Sequence, residues 1–168
     1  RLLIKAGADV RVVMTEAATR FISAVTMQAL SGQTVYSDLW DPRVADNMAH
    51  IELSRDRDLV LVAPASADFM GKLANGLADD LLSTLCIARK GPLMIAPAMN
   101  VEMWSSAATR RNAERLHADG VKLLGPAAGE QACGETGLGR MLEPQQILDA
   151  VVAHFGPRPL QGHRFLIT

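Results

Sequence analysis

Few residues in this chain combine a reactive type with an unusual setting, and the first is Cys133. It stands in the run Gly-Glu-Gln-Ala-Cys-Gly-Glu-Thr-Gly-Leu-Gly-Arg-Met over 129–141, among four glycines. Such neighbours hold no helix or strand, so a packing role for the thiol is hard to justify. A structural disulfide, a metal ligand, a phosphate loop and a mobile catalytic flap are the readings to weigh. The other cysteine, Cys86, lies in the apolar run Leu-Leu-Ser-Thr-Leu-Cys-Ile-Ala, where a buried, inert thiol is the default. Two such cysteines make no disulfide framework. No Cys-x-x-Cys pair exists, and His117, His154 and His163 share no ligand spacing with Cys133, which leaves zinc unsupported. Nor is Gly-Glu-Thr-Gly-Leu-Gly a Walker loop: no Lys-Ser/Thr follows, and the last glycine leads to Arg-Met and Pro144. A thiol on a glycine-hinged segment that closes over a ligand can donate or accept a proton with water excluded. Arg140 beside it is a candidate anion contact.

Other candidates are more ambiguous one by one. Ser66 precedes a helical pattern and reads first as an N-cap. Its hydroxyl and the free N–H groups of that first turn would also suit a phosphate or the polar edge of a flavin. Pro97-Ala98-Met99-Asn100 reads either as a strand stop with an Asn cap or as an amide aimed at a carboxylate. His50, in Asn-Met-Ala-His-Ile-Glu-Leu-Ser, reads first as a surface or hydrogen-bonded histidine.

Position makes these residues more telling. Strands are expected at Val10–Met14, Asp58–Ala63, Leu93–Ala96 and Val121–Leu124, the middle two stopped by Pro64 and Pro97, with an edge strand at 33–36. Helices are expected from Thr15 to about Ser23, at Val25–Leu30, at 67–75 and 78–88, over Val101–Ala118, and from Pro144 to about His154. Continuous aliphatic strands alternating with helices predict an α/β protein, a parallel sheet covered on both faces. In such sheets ligands bind at the carboxyl ends of strands. Thr15, Ser66, Asn100 and the glycine-rich run all follow carboxyl ends, so one sheet edge gathers them.

Composition agrees. At 168 residues, 49% hydrophobic but 4% aromatic, the chain suits about one domain with an aliphatic core. A net charge of −1 offers no electrostatic reason to expect nucleic acid or an anionic membrane surface. No apolar run reaches the roughly 18–20 residues of a membrane helix and no signal-peptide pattern appears, so a cytoplasmic protein is expected. The opening Arg-Leu-Leu-Ile-Lys-Ala-Gly reads as the tail of a helix, which implies a strand and a loop upstream. Pro-Arg-Pro-Leu-Gln-Gly-His-Arg-Phe-Leu-Ile-Thr reads as a linker and a new strand. The domain reading is 1–155 for one unit and 156–168 for the start of another.

The segments from Ala49 to Ser83, Pro-Ala-Met-Asn-Val-Glu-Met-Trp and Ala-Cys-Gly-Glu-Thr-Gly-Leu-Gly-Arg-Met together resemble the phosphopantothenoylcysteine decarboxylases, a branch of the homo-oligomeric flavin-containing cysteine decarboxylases. The resemblance spans essentially the whole chain. It implies a Rossmann-like, flavodoxin-like three-layer sandwich whose first strand is missing from these residues, with FMN bound between subunits of trimers. In bifunctional members the trimers assemble into dodecamers, and a phosphopantothenate–cysteine ligase domain follows, matching Leu-Gln-Gly-His-Arg-Phe-Leu-Ile-Thr. The implied reaction is a carboxy-lyase step of coenzyme A biosynthesis. The cysteinyl thiol of 4′-phosphopantothenoylcysteine is oxidised to a thioaldehyde, carbon dioxide leaves to give an enethiolate, and reduction yields 4′-phosphopantetheine.

By the resemblance, Cys133 is the proton donor of the last reduction and His50 the active-site histidine. Asn100 holds the substrate carboxylate, flanked by Ala98, Met99 and Met103, while Ala132, Gly134, Arg140 and Met141 belong to the substrate-covering flap. Thr15, Ser66, Ala67, Asp68, Phe69 and Ala98 match FMN contacts; where many relatives read Ser-Ala-Asn-Thr, this chain has Ser66-Ala67-Asp68-Phe69. No metal is implied. The other classes in view are a flavin-binding regulatory or scaffold subunit, which would lack His, Asn or Cys, and peptidyl-cysteine decarboxylases or flavin prenyltransferases on the same fold.

Overall fold

The computed structural model describes residues 1–43, 48–131, 134–156 and 164–167; Ala132 and Cys133, both expected in the site, lie outside them. A short helix, α1 (Leu2–Lys5), leads into β1 (Asp9–Val13), followed by α2 (Glu16–Thr19), α3 (Ala24–Ser31) and β2 (Val35–Tyr36). Next come α4 (Ala49–Ser54), β3 (Leu59–Ala65), α5 (Ala67–Ala74), α6 (Leu81–Ala88) and β4 (Leu93–Pro97). The chain continues through α7 (Val101–Ser105), α8 (Ala107–Ala118), β5 (Lys122–Leu123), β6 (Ala127–Glu130) and β7 (Thr136–Arg140). It finishes with α9 (Pro144–His154) and β8 (Arg164–Ile167).

Six strands form one parallel sheet in the order β2-β1-β8-β3-β4-β5. Successive side chains of a strand point to opposite faces, and β3 displays this. Val60 and Val62 join the core under α4, α5, α6 and α8, while Leu59 and Leu61 join the core under α1 and α9. Both faces of the sheet are therefore covered, as the continuous aliphatic strands require. The result is the expected α/β three-layer sandwich.

Several boundaries differ from the sequence expectation, each for a local reason. β3 does not stop at Pro64 but runs to Ala65, with a register shift between Val62 and Ala65 where the ladder steps past the proline's missing N–H. The helix after Thr15 ends at Thr19, and Ser23 starts a second one by accepting the Thr26 N–H at 3.2 Å. The single helix expected over Val101–Ala118 is two, because Ser106 turns extended (φ −59°, ψ 143°) and caps α8 through the Thr109 N–H at 3.2 Å. The glycine-rich run is not free of strands: β6 and β7 pair antiparallel across it, Gly129 against Gly137 and Glu130 against Thr136. Arg164–Ile167, read in the sequence as part of a following unit, pairs with β1 on one side and β3 on the other, with Asp9 opposite Arg164 and Leu59 opposite Phe165. An inner strand there satisfies the N–H and C=O groups that β1 and β3 would otherwise leave bare.

Candidate active site

Three strand ends deliver polar caps to one edge of the sheet. Beyond β1, Thr15 Oγ1 accepts the Ala18 N–H at 3.1 Å. Beyond β3, Ser66 Oγ accepts the Phe69 N–H at 3.2 Å. Beyond β4, Asn100 Oδ1 accepts the Glu102 N–H at 2.8 Å and so caps α7. Each hydroxyl that accepts from its helix keeps its own proton to give elsewhere.

A hollow of about 190 Å³ lies between the first two caps, walled by Thr15, Ala18, Pro64, Ser66, Phe69 and Ala98. A second, of about 370 Å³, is walled by Ala98, Met99, Asn100, Gln131, Arg140 and Met141. Ala98 belongs to both, so the hollows adjoin at that residue. A larger, open hollow of about 980 Å³ lies around 54–58 and Gly91. It sits where β3 and β4 begin, and none of the candidate residues lines it.

The hairpin β6–β7 forms the far wall of the second hollow. Met99 N–H donates to Gly139 O at 2.9 Å, and Val101 N–H to Gln131 Oε1 at 3.0 Å. The approach is so close that a Cβ on Gly139 (φ +146°) would stand 2.3 Å from Met99 O, and one on Gly137 would stand 2.6 Å from Val101 Cγ2. These two glycines therefore serve contact with the Met99–Val101 segment, a role distinct from the hinge expected of them. At the turn, Asn100 Nδ2 donates to Glu135 Oε2.

The expected site residues fall into groups. Thr15, Ser66, Asp68, Phe69 and Ala98 line the first hollow, and Ala98, Met99, Asn100, Arg140 and Met141 the second. Ala67 and Met103 share a different hollow, beside Glu102 and Thr109. Gly134 lies in the hairpin turn, where its N–H donates to Gln131 O at 2.9 Å. Arg140 is engaged, its Nη2 bonded to Glu143 Oε1. His50 sits in α4 and lines neither hollow; its Nδ1 is buried without a partner among the described residues. The sequence reading did not single out Gln131 and Lys72. Gln131 is the residue before Ala-Cys-Gly, and that adjacency was the available signal.

Electrostatics separates the two hollows further. Lys72 Nζ at the first lies 3.1 Å from Asp79, 3.4 Å from Asp80 and 3.7 Å from Asp68. Its pKa is raised, chiefly by the hydrogen bond to Asp79 and also by the charges of Asp68 and Asp80. Cys86, in α6 and lining neither hollow, is pushed up to about 12 by burial, which keeps it a thiol at neutral pH.

A parallel sheet with adjoining hollows beyond its carboxyl ends defines a ligand-binding α/β domain. Residues 1–156 match the Flavoprotein family, and the chain belongs to that family. It is 48% identical, over its full length, to 42% of the coenzyme A biosynthesis bifunctional protein CoaBC of Vibrio vulnificus. Against CoaBC of Escherichia coli it is 50% identical over 94% of the chain and 39% of that protein. The chain thus spans about two fifths of these relatives. Among solved structures it resembles a cysteine-to-serine mutant of a PPC decarboxylase complexed with pantothenoylaminoethenethiol, with TM-score 0.81, 34% identity, and 92% and 87% of the two chains covered. It also resembles the FMN-binding protein AtHal3, with TM-score 0.81, 33% identity, and 94% and 87% covered.

A flavin is the cofactor to be housed, and the first hollow fits part of one. Ala18, Pro64, Phe69 and Ala98 offer apolar wall, and Thr15 and Ser66 offer hydroxyl donors, as a flat ring system with a polar edge demands. The one cation lining that hollow among the described residues, Lys72, is already held by carboxylates, so the described residues of the hollow suit the ring rather than a phosphate. Among the described residues no helix is long and apolar enough to cross a membrane.

Proposed function

We propose that this chain is an FMN-dependent carboxy-lyase that converts 4′-phosphopantothenoylcysteine to 4′-phosphopantetheine in the coenzyme A pathway of the cytoplasm. The observation that carries the reading is the sharing of Ala98 by two hollows. A group in the first, among the Thr15 and Ser66 hydroxyls, is next to a group in the second, beside the Asn100 amide. When bound, FMN supplies a two-electron acceptor that is restored within one turnover. Thr15 and Ser66 orient it, with Phe69 and Ala98 against its apolar surface. Asn100 Nδ2 donates to the substrate carboxylate, and its direction is fixed because Oδ1 is committed to the Glu102 N–H. The docked hairpin excludes water, and Cys133, which the sequence sets between Gln131 and Gly134, gives a proton to the carbon that has lost carbon dioxide.

Assembly is part of the proposal: a homo-oligomer, a trimer as its unit and a dodecamer in the longer protein, with FMN at subunit interfaces. Phe21 is 91% exposed, Val25 77% and Trp40 70%, and α3 buries none of its residues, a surface suited to covering by another copy. His50 lines neither hollow of its own protomer, and such an interface is where it would meet substrate. The length beyond this chain in its bifunctional relatives is proposed to supply phosphopantothenate–cysteine ligation.

The test is a product assay on flavin-loaded protein given phosphopantothenoylcysteine, read by mass spectrometry for the loss of carbon dioxide. Formation of 4′-phosphopantetheine is expected; a yellow, oligomeric protein that forms none would favour a scaffold role, and turnover of a cysteine-ended peptide instead would favour a peptidyl-cysteine decarboxylase. Cys133→Ser is expected to keep flavin and decarboxylation while accumulating the unreduced enethiol. Normal turnover by that variant would remove the proton-donor role.

A further inference from the structure

The Asn100 amide, assigned above to the substrate carboxylate, holds a carboxylate of this chain: its Nδ2 donates to Glu135 Oε2. We infer that Glu135 is a built-in competitor for the substrate's carboxylate, so that substrate binds by exchanging with it. The inference rests on the decarboxylase reading and adds a specificity-determining residue to it.

Three features place Glu135 in that role. The amide cannot rotate to offer its oxygen instead, because Oδ1 accepts the Glu102 N–H at 2.8 Å and turning it would leave the α7 cap unmade. Nδ2 therefore always faces the hairpin as a donor, and a carboxylate is its strongest acceptor. Glu135 is delivered by the hairpin turn, where Gln131 N–H donates to Glu135 O at 2.8 Å while the Gln131 side chain accepts the Val101 N–H at 3.0 Å. Docking of the hairpin and presentation of Glu135 are thus one event. Finally, Glu135 is exposed, so it can swing to water without stranding a buried charge. Two carboxylates on one amide would repel each other, which makes the exchange one-for-one.

The exchange has a direction over the reaction. Substrate carries the group that displaces Glu135, whereas product has lost it as carbon dioxide. Once that group leaves, Glu135 can return to Asn100. Glu135 therefore weakens binding of the carboxylate-bearing ligand and is neutral toward the decarboxylated one.

The experiment uses the flavin-loaded oligomer and a matched pair of unreactive ligands, phosphopantothenoylalanine and its decarboxylated counterpart phosphopantothenoylethylamine. Neither has a thiol to oxidise, and they differ by the carboxylate alone. Titration calorimetry on wild type and Glu135→Gln is expected to show the alanine compound bound about five- to tenfold tighter by the variant, the difference between a charged and a neutral acceptor on Nδ2. The ethylamine compound should change less than about twofold, because it brings no acceptor to Nδ2. Glu135→Ala, which removes that carboxylate altogether, should give at least the same gain. Equal changes for both ligands, no change, or weaker binding of the alanine compound would each overturn the inference while leaving the substrate reading intact. Failure of wild type to bind either ligand would overturn the substrate reading, and this inference with it.

Discussion

The two hollows that meet at Ala98 are built differently. The first is walled mainly from the sheet and its helices: Phe69 in its wall is 6% exposed, and Ala65 and Met70, next in the chain to its wall residues Ser66 and Phe69, are wholly buried, although Phe21, which also lines it, is 91% exposed. The second owes one wall to a hairpin whose Glu130, Thr136 and Arg140 are all exposed, as is Leu138. That hairpin is held to the Met99–Val101 segment largely by main-chain and amide hydrogen bonds. Segments with few buried apolar contacts open at low free-energy cost, whereas core elements open only with the whole domain. A cofactor that stays through many turnovers needs the first kind of wall, and a substrate that must enter and leave needs the second.

The largest effect that tests this contrast lies on the fixed side. Met70 has no exposed surface and packs in the core under α5. Met70→Ala is expected to cost about 2–5 kcal/mol of unfolding free energy, read by denaturant titration, and flavin should be lost together with the fold. A variant that unfolds early but releases flavin separately would show that the first hollow is not part of the global core.

On the hairpin side the corresponding change is Gly139→Ala. Its Cβ would lie 2.3 Å from Met99 O and 2.6 Å from the Gln131 amide nitrogen, at a φ of +146° that side chains avoid. The hairpin then cannot dock, and turnover should fall by about 10²-fold, the scale on which small misplacements act. Flavin content and melting temperature should stay near wild type. A coupled loss of flavin or a large drop in melting temperature would mean that the two walls are not independent.

The contrast also explains what the sequence reveals and what it hides. The alternation of Leu59 to Val62, the stop after β4 and the Pro144 start of α9 follow from local rules, and they locate the sheet edge where Thr15, Ser66 and Asn100 gather. The β6–β7 pairing does not. Its glycines read as looseness, because their reason lies in Met99 O and Val101, far away in the chain. The Ser106 break is hidden for another reason. The apolar spacing continues across it, and only the cap on Thr109 N–H marks a new helix. Nor does any pattern foretell that Asn100 would meet Glu135, since that contact exists only once the hairpin has docked.

The smallest effect is the most discriminating for the first wall, because Ser66 is given two roles there. As the N-cap of α5 it accepts the Phe69 N–H, and as a cofactor contact its hydroxyl donates into the hollow. Ser66→Ala should cost about 1 kcal/mol of stability through the cap, whereas Ser66→Gly should cost only a few tenths, since glycine is tolerated at that position. Both variants lose the same hydroxyl. If Ser66 only caps the helix, flavin affinity should follow stability and Gly should recover most of it. If the hydroxyl also reaches the flavin, affinity should fall by a similar factor in both variants, about five- to tenfold for one hydrogen bond, while their melting temperatures separate. Flavin release followed by fluorescence, beside thermal melts of the two variants, distinguishes these outcomes. A flavin affinity that tracks melting temperature would leave Thr15 as the hydroxyl that orients the ring.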